Sequence, residues 1–97
     1  MAKRNIVVIG TSAGGIETLT ELLGRLPSEF PASVFVVQHM SATAEGALAE
    51  ILARRSALRV TQARDGERFE PGVVYTARPD HHLLLIDGHL SVARGPK

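Results

Sequence analysis

The stretch that most constrains the fold is a glycine-rich turn, Gly10-Thr11-Ser12-Ala13-Gly14-Gly15, between two apolar patterns of different period. Ahead of it, Ile6-Val7-Val8-Ile9 is a short, continuous β-branched run, which is typical of a strand buried on both faces. Behind it, apolar residues recur at helical spacing until Pro27. These residues are Ile16, Leu19, Leu22, Leu23 and Leu26. A strand, a turn and a helix predict a parallel α/β sheet, with the turn at the carboxyl end of a strand, where such sheets bind ligands.

The serine in this turn has three interpretations. In the first, Ser12 is a nucleophile on a sharp elbow, and backbone N–H groups at the helix start stabilise an oxyanion. In the second, the loop cradles a phosphate and Ser12 only donates a hydrogen bond. In the third, the glycines only allow the strand and the helix to pack closely. The glycine spacing matches neither common nucleotide-binding fingerprint, which weakens the case for a nucleotide. The turn by itself leaves the three interpretations open.

A second continuous apolar run, Ser33-Val34-Phe35-Val36-Val37, predicts another buried strand, and Gln38-His39-Met40 follows it. Two parallel strands joined by a helix form a right-handed βαβ unit. If these two strands are neighbours, Ser12 and His39 emerge along the same edge of the sheet. A second amphipathic helix is predicted from about Thr43 to Arg55.

From Asp65 onwards, turn signals separate short β-rich pieces. Strands are predicted at Val73–Thr76, Leu83–Ile86 and His89–Val92, with Asp87-Gly88 at the tip of a hairpin. A further short strand is predicted at Leu58-Arg59-Val60. We expect the stretch from Val73 to Val92 to be mostly antiparallel and to lie at the periphery.

The predicted fold class is an open parallel sheet, Rossmann-like and doubly wound, with a peripheral antiparallel hairpin. Parallel strands as apolar as the first two need cover on both faces. Two helices and a hairpin can scarcely supply that cover. We therefore expect residues 1–97 to be the front part of a larger α/β domain, with an open sheet edge through which the chain could self-associate.

Composition excludes several classes of function. A net charge of +1 does not indicate binding to nucleic acid, and the absence of cysteine excludes disulfides and thiolate metal sites. The first apolar run is too short for a signal peptide or a membrane span, so we expect a cytoplasmic protein. The spacing of the four histidines fits no helical pair of metal ligands, and we expect neither a metal nor a cofactor.

Six segments in a fixed order resemble one family. Two of them are Ile-Gly-Thr-Ser-Ala-Gly-Gly, which ends at Gly15, and Val-Val-Gln-His-Met, which ends at Met40. Both resemble the catalytic domain of the chemotaxis protein-glutamate methylesterases, the CheB family. The likeness continues through Leu26-Pro27, Ala63-Arg64-Asp65-Gly66-Glu67, Pro71-Gly72-Val73-Val74-Tyr75 and Asp80-His81-His82-Leu83. It covers essentially the whole chain, but only the front part of the family's domain.

The resemblance implies a serine hydrolase with a Ser-His-Asp triad. Ser12 then matches the nucleophile and His39 the general base. The residues expected beside the oxyanion and the substrate are Thr11, Ala13, Gly14 and Met40, and the Ala13 N–H is the local candidate for an oxyanion donor. The family's acid lies in a later segment that is not in this sequence, and Asp65, Asp80 and Asp87 belong to other motifs.

The resemblance also implies a substrate and partners. The substrate is a γ-glutamyl methyl ester on the cytoplasmic domain of a methylated chemoreceptor, with deamidation of receptor glutamines as a related activity. The family often carries an N-terminal receiver domain. Because the first strand begins near Met1, we expect no receiver domain here, and one could act only in trans. The alternative is a non-catalytic fragment or binding module that uses the glycine-rich turn for a phosphate or a protein.

Overall fold

A four-stranded parallel sheet is the main element of the computed structural model, which describes residues 5–11, 16–38, 47–78 and 81–93. Two helices pack on one face of this sheet, and an antiparallel hairpin packs on the other. The elements in chain order are β1 (Ile6–Thr11), α1 (Ile16–Gly24), β2 (Ser33–Gln38), α2 (Ala47–Ala53), β3 (Arg59–Gln62), β4 (Val73–Thr76), β5 (His82–Ile86) and β6 (His89–Ala93). The predicted fold class is confirmed.

The strands of the sheet follow the order β1-β2-β4-β3, and every neighbouring pair is parallel. Strands β1 and β2 pair along their whole length, from Ile6 opposite Ser33 to Thr11 opposite Gln38. The prediction that the first two strands are neighbours in a βαβ unit is therefore confirmed.

The position of β4 corrects the prediction for the second half of the chain. The expectation of a mostly antiparallel periphery is right for the β5–β6 hairpin but wrong for Val73–Thr76. This strand lies inside the sheet, parallel to both β2 and β3. All four of its residues are buried, as its continuous apolar sequence requires of a strand covered on both faces.

The first layer of the core lies between the sheet and the helices, on what we call the helix face. Leu19 and Leu23 of α1, one helical turn apart, pack with Leu48 and Leu52 of α2. They cover sheet residues whose side chains share this face, which are Val34, Val36 and Val74. Leu22 belongs to the predicted apolar stripe of α1 but is exposed.

The helices approach each other closely at Gly24, the last residue of α1. A Cβ atom at this position would lie 3.3 Å from the backbone oxygen of Arg55 in the turn after α2. That distance is tighter than ordinary van der Waals contact, so a larger residue here would push the two helix ends apart. Helix α2 is described from Ala47 onwards, and the predicted start at Thr43 lies outside the described residues.

The second layer lies on the opposite side of the sheet, which we call the hairpin face. Phe35 stacks on Tyr75 with ring centroids 5.3 Å apart and meets Phe69 edge to face at the same distance. Leu90 of β6 is buried against this aromatic cluster, and half-buried residues of the hairpin complete it. Those residues are Leu83, Leu85 and Val92.

The hairpin turns at Asp87-Gly88, as predicted from the sequence. Both residues have positive φ angles, 48° and 82°, which is the backbone of a type I′ turn. This turn matches the twist of the two strands, and the Asp-Gly pair adopts it at low cost because glycine has no Cβ.

No helix in the part of the chain that the structure describes has the length and apolar character needed to cross a membrane.

Candidate functional site

The predicted site lies at the carboxyl edge of β1 and β2. Thr11 is the last residue of β1 and pairs with Gln38, the last residue of β2. Ser12 follows Thr11 in the chain and His39 follows Gln38. The two strand ends from which these residues continue are therefore adjacent, about 4.8 Å apart in the hydrogen-bonding direction of a sheet.

Most of the predicted site residues lie outside the described part of the chain. These are Ser12, Ala13, Gly14, His39 and Met40, and Thr11 alone is described, as the end of β1. The hydrogen bond from Ser12 to His39 stays a prediction. The structure provides its precondition, which is two parallel strands in register that end at one edge.

All four parallel strands end on threonine or glutamine. Thr76 closes β4 and Gln62 closes β3, alongside Thr11 and Gln38. Backbone pairing extends past these ends, because the Ala77 N–H donates to the Val36 carbonyl at 2.9 Å and the Ala63 N–H donates to the Thr76 carbonyl at 2.8 Å. Each strand thus ends on a polar residue at the carboxyl edge, the edge at which open α/β sheets bind ligands.

The sequence interpretation missed Gln62 and Thr76 at this edge, and Thr76 is the one that lies next to β2. Its side chain is buried at the end of β4, beside β2. The signal was present, because a polar residue ends an apolar run there just as Gln38 ends β2. This signal did not point to Thr76 as an edge residue, because the sequence analysis placed Val73–Thr76 at the periphery instead of beside β2.

Two of the three aspartates in the sequence are engaged in the hairpin. The Asp65 carboxylate accepts a hydrogen bond from the Val92 N–H at 2.9 Å, and Asp87 lies in the type I′ turn. Asp80 lies outside the described residues. These positions give Asp65 and Asp87 structural roles in the hairpin and agree with leaving both out of the predicted triad.

A depression of about 300 Å³ lies between α2 and β3. Small helix residues, Ala49 and Ala53, leave the space, and Glu50 and Arg64 contribute charges to its lining. Strand β3 is at the opposite end of the sheet from β1. The depression is therefore separate from the β1–β2 edge.

Among the residues that the structure describes, no three His, Asp or Glu side chains lie close enough together to hold a metal ion. The surroundings of Tyr75 shift its titration. Burial raises the pKa of Tyr75 above its usual 10.0, although a hydrogen bond from the Glu70 N–H opposes the shift. Tyr75 lies on the hairpin face, in the core rather than at the carboxyl edge.

Comparison with known proteins decides the family. The family model for the CheB methylesterase matches residues 7–96, which include both the serine turn and the histidine after β2. The chain belongs to the CheB methylesterase family. This confirms the resemblance inferred from the ordered motifs.

Relatives of the CheB family are similar over most of this chain. The chain is 44% identical over 85 residues to protein-glutamate methylesterase/protein-glutamine glutaminase 2 of Methanosarcina acetivorans, covering 88% of this chain and 24% of that protein. It is 48% identical over 80 residues to the Thermotoga maritima protein-glutamate methylesterase/protein-glutamine glutaminase, covering 82% of this chain and 23% of that protein. The chain thus spans about a quarter of the length of these relatives.

The fold agrees with a solved member of the CheB family. The crystal structure of the Thermotoga maritima CheB methylesterase catalytic domain superposes with a TM-score of 0.88 at 39% sequence identity. The match covers 99% of this chain and 53% of that domain. The parallel sheet and its hairpin are therefore part of a CheB catalytic fold.

Proposed function

We propose that these 97 residues carry the nucleophile and the general base of a protein-glutamate methylesterase. Ser12 attacks γ-glutamyl methyl esters on the cytoplasmic domain of a chemoreceptor, and His39 takes the serine proton. The names of the relatives, which combine methylesterase and glutaminase, support an ester substrate with an amide as the second one.

The observation that carries this proposal is the register of β1 and β2. Thr11 opposite Gln38 makes Ser12 and His39 the next residues along two adjacent, parallel strands. A serine hydroxyl is a weak nucleophile until an imidazole within hydrogen-bonding reach takes its proton. A register that brings the two chain positions to one edge supports this pairing.

The reaction proceeds in two steps, which are the formation of an acyl-enzyme and its hydrolysis. The Ser12 oxygen bonds to the ester carbonyl carbon while its proton moves to His39, and the tetrahedral oxyanion is stabilised by backbone N–H donors that include Ala13. The carbonyl re-forms, and methoxide leaves with the proton from His39 as methanol. Water then enters by the same route, cleaves the acyl-enzyme and releases the glutamate carboxylate.

The third member of the triad is expected outside these 97 residues. A carboxylate holds the imidazole in the productive tautomer and stabilises the imidazolium, and its loss costs on the order of 10⁴-fold in kcat. The chain by itself should therefore hydrolyse the ester very slowly. A second segment that supplies the acid should restore the rate.

A fluorophosphonate probe tests the nucleophile without the complete triad. We expect the probe to label the full chain and to lose this labelling in Ser12→Ala. Ser28→Ala is the matched control, because Ser28 is an exposed serine in the loop after α1. Labelling that survives Ser12→Ala would remove the nucleophile assignment, and a wild-type chain that never labels would favour the binding-module alternative.

Methanol release from a methylated receptor fragment tests the reaction. The chain is measured by itself and then with the part of the Thermotoga maritima catalytic domain that it does not cover. We expect release in the mixture to exceed that of the chain by at least about 100-fold and to depend on both Ser12 and His39. Equal rates with and without the second segment would show that no additional acid is needed.

A further inference from the structure

Strand β4 leads at its carboxyl end to an arginine beside β2. Val36 pairs with Thr76, and the Ala77 N–H donates to the Val36 carbonyl at 2.9 Å, so the pairing extends one residue past β4. Arg78 is the next residue, it is exposed, and the same register sets it beside Gln38, the last residue of β2. The predicted general base follows Gln38 in the chain. Arg78 is therefore a cation one strand away from the strand end that leads to this base.

Strand β3 leads to a second arginine in the same row. Gln62 pairs with Thr76, and the Ala63 N–H donates to the Thr76 carbonyl at 2.8 Å. Arg64 follows Ala63, so the register sets it beside Arg78. Neighbouring strands lie about 4.8 Å apart, which brings the backbones of the two arginines to about that separation.

The two arginines concentrate positive charge at this end of the carboxyl edge. Arg64 is exposed and lines the depression between α2 and β3, and its guanidinium forms no ion pair with a residue that the structure describes. Two carboxylates offset part of this charge. Glu67 accepts the Arg64 N–H at 3.2 Å, and Glu50 lies on α2 in the lining of the same depression. Neighbouring guanidinium groups repel each other, and an anion that binds to both removes this repulsion.

A carboxylate suits this pair of side chains. A guanidinium presents a planar fork of N–H donors that matches the two oxygens of a carboxylate, and two such forks bind one shared carboxylate or two neighbouring ones. The proposed reaction supplies this group. Its substrate is a polypeptide whose glutamates occur as esters before hydrolysis and as carboxylates after it.

The strand order determines how far such a carboxylate lies from the reacting ester. The ends of β4 and β3 are two and three strands away from the end of β1, which leads to Ser12. At about 4.8 Å per strand, this separation is about 10–14 Å. A helical substrate spans it in about six to ten residues and an extended substrate in about three or four. The bound carboxylate therefore belongs to a neighbour of the ester in the substrate and not to the reacting residue.

We propose that Arg64 and Arg78 form a specificity site that binds a glutamate carboxylate of the receptor near the ester that Ser12 attacks. The two arginines hold the substrate along the carboxyl edge and select esters in acidic surroundings. Because each hydrolysis produces one more carboxylate, a glutamate that has already been hydrolysed favours binding at the neighbouring ester. The inference rests on the proposed function for the identity of the substrate, but binding at the two arginines does not require a reactive Ser12.

The experiment measures binding without catalysis, in the full chain carrying Ser12→Ala. A receptor fragment is prepared in two forms, with glutamate or with glutamine at its methylation sites. Each form is titrated into the isotope-labelled chain while NMR follows the Nε–H signals of the arginines. We expect the glutamate form to shift the signals of Arg64 and Arg78 and to bind about three- to fivefold more tightly than the glutamine form.

Three substitutions locate the preference for the glutamate form. Arg78→Gln and Arg64→Gln should each reduce it, and the double variant should bind the two forms equally. Arg54→Gln is the matched control, because it removes the same charge from an exposed arginine in the turn after α2 and should keep the preference. All three side chains are exposed, and circular dichroism of each variant verifies that it folds.

Three results would overturn the proposal. The first is a glutamate form that does not bind or binds no better than the glutamine form. The second is a preference that survives the loss of both arginines. The third is a preference that Arg54→Gln reduces to the same extent, which would indicate general electrostatic attraction. The proposed activity fails separately, because a chain that a fluorophosphonate never labels would lose the catalytic assignment and keep an arginine-dependent carboxylate site.

Discussion

At the scale of single residues, Tyr75 connects the aromatic core of the hairpin face to the loop before β4. Its ring stacks on Phe35 at an interplanar angle of 17°, and its hydroxyl accepts the Glu70 N–H at 2.8 Å. The hydroxyl thereby fixes the loop before β4 while the ring fills the core. Burial favours the neutral phenol over the phenolate, and this is the cause of the raised pKa.

This shift predicts a loss of stability at high pH. A group whose pKa is raised on folding stabilises the protein below its unfolded value, and that contribution disappears as the pH rises through the folded value. The free energy of unfolding should therefore fall as the pH rises past 10.0. Urea denaturation at a series of pH values measures it, and the absorbance of the phenolate reports this group alone because the chain has one tyrosine.

The control is Tyr75→Phe, which keeps the ring and removes the ionisable hydroxyl. This variant should be less stable at neutral pH by about 1 kcal/mol, since the Glu70 N–H loses its acceptor. Above the pKa its stability should fall less steeply than that of the wild type. Parallel slopes for the two proteins would contradict the assignment of the pH dependence to Tyr75.

At the scale of elements, the hairpin depends on the loop between β3 and β4. Leu90 exchanges two backbone hydrogen bonds of 2.7 Å with this loop, one from the Gly66 N–H and one to the Glu67 carbonyl. The Phe69 N–H donates to the Gly88 carbonyl at 3.0 Å, and the Asp65 carboxylate closes the far end at Val92. The loop is therefore held along β6, and an isolated antiparallel bridge joins Arg68 to His89.

Removing the Asp65 carboxylate should loosen this attachment. Asp65→Ala is expected to destabilise the chain by about 1 kcal/mol, because the Val92 N–H loses its partner. Asp65→Asn keeps an oxygen acceptor at the same position and should recover most of the loss. Thermal unfolding of the three proteins provides the comparison, and an Asn variant as unstable as the Ala variant would point to the charge instead of the hydrogen bond.

At this scale, the sequence predicts those elements whose pattern is contained in a few neighbouring residues. The turn at Asp87-Gly88 and the strand at Ile6–Ile9 can be predicted from those residues alone. An Asp-Gly pair favours a type I′ turn, and a continuous β-branched run favours a buried strand. The position of β4 in the sheet cannot be predicted in this way, because strand order depends on pairing with segments far away in the chain. The candidate site divides in the same way. Motifs predict Ser12 and His39, whereas Thr76 required knowledge that β4 lies beside β2.

At the scale of the whole molecule, stability is distributed unevenly across the sheet. Strands β2 and β4 are paired on both sides and carry side chains in both layers of the core. Among the described strands, β1 is paired with β2 alone, and Ile6, Val7 and Val8 are all substantially exposed. The centre of the sheet is therefore the part most resistant to local opening.

Native-state hydrogen exchange should reveal this gradient. We expect the slowest amides in β2 and β4, with exchange close to the limit set by global unfolding. Amides of β5 should exchange on the order of tenfold faster or more, because among the described strands β5 pairs with β6 alone in a two-stranded hairpin. Equal protection of the hairpin and the central strands would show that the chain opens only as a single unit.

The strand order also has a consequence for how the chain folds while it is being synthesised. Strand β2 is made before β4, and Val34 pairs with Val74, about forty residues later, at a synthesis rate of about 5–20 residues per second. For several seconds a nascent chain thus presents β1, α1 and β2 with the inner edge of β2 unsatisfied. Among the described strand pairs, only β5 and β6 are joined by a short turn. The centre of the sheet is the last part of it to close, and a ribosome-bound chain is most exposed to aggregation before β4 emerges.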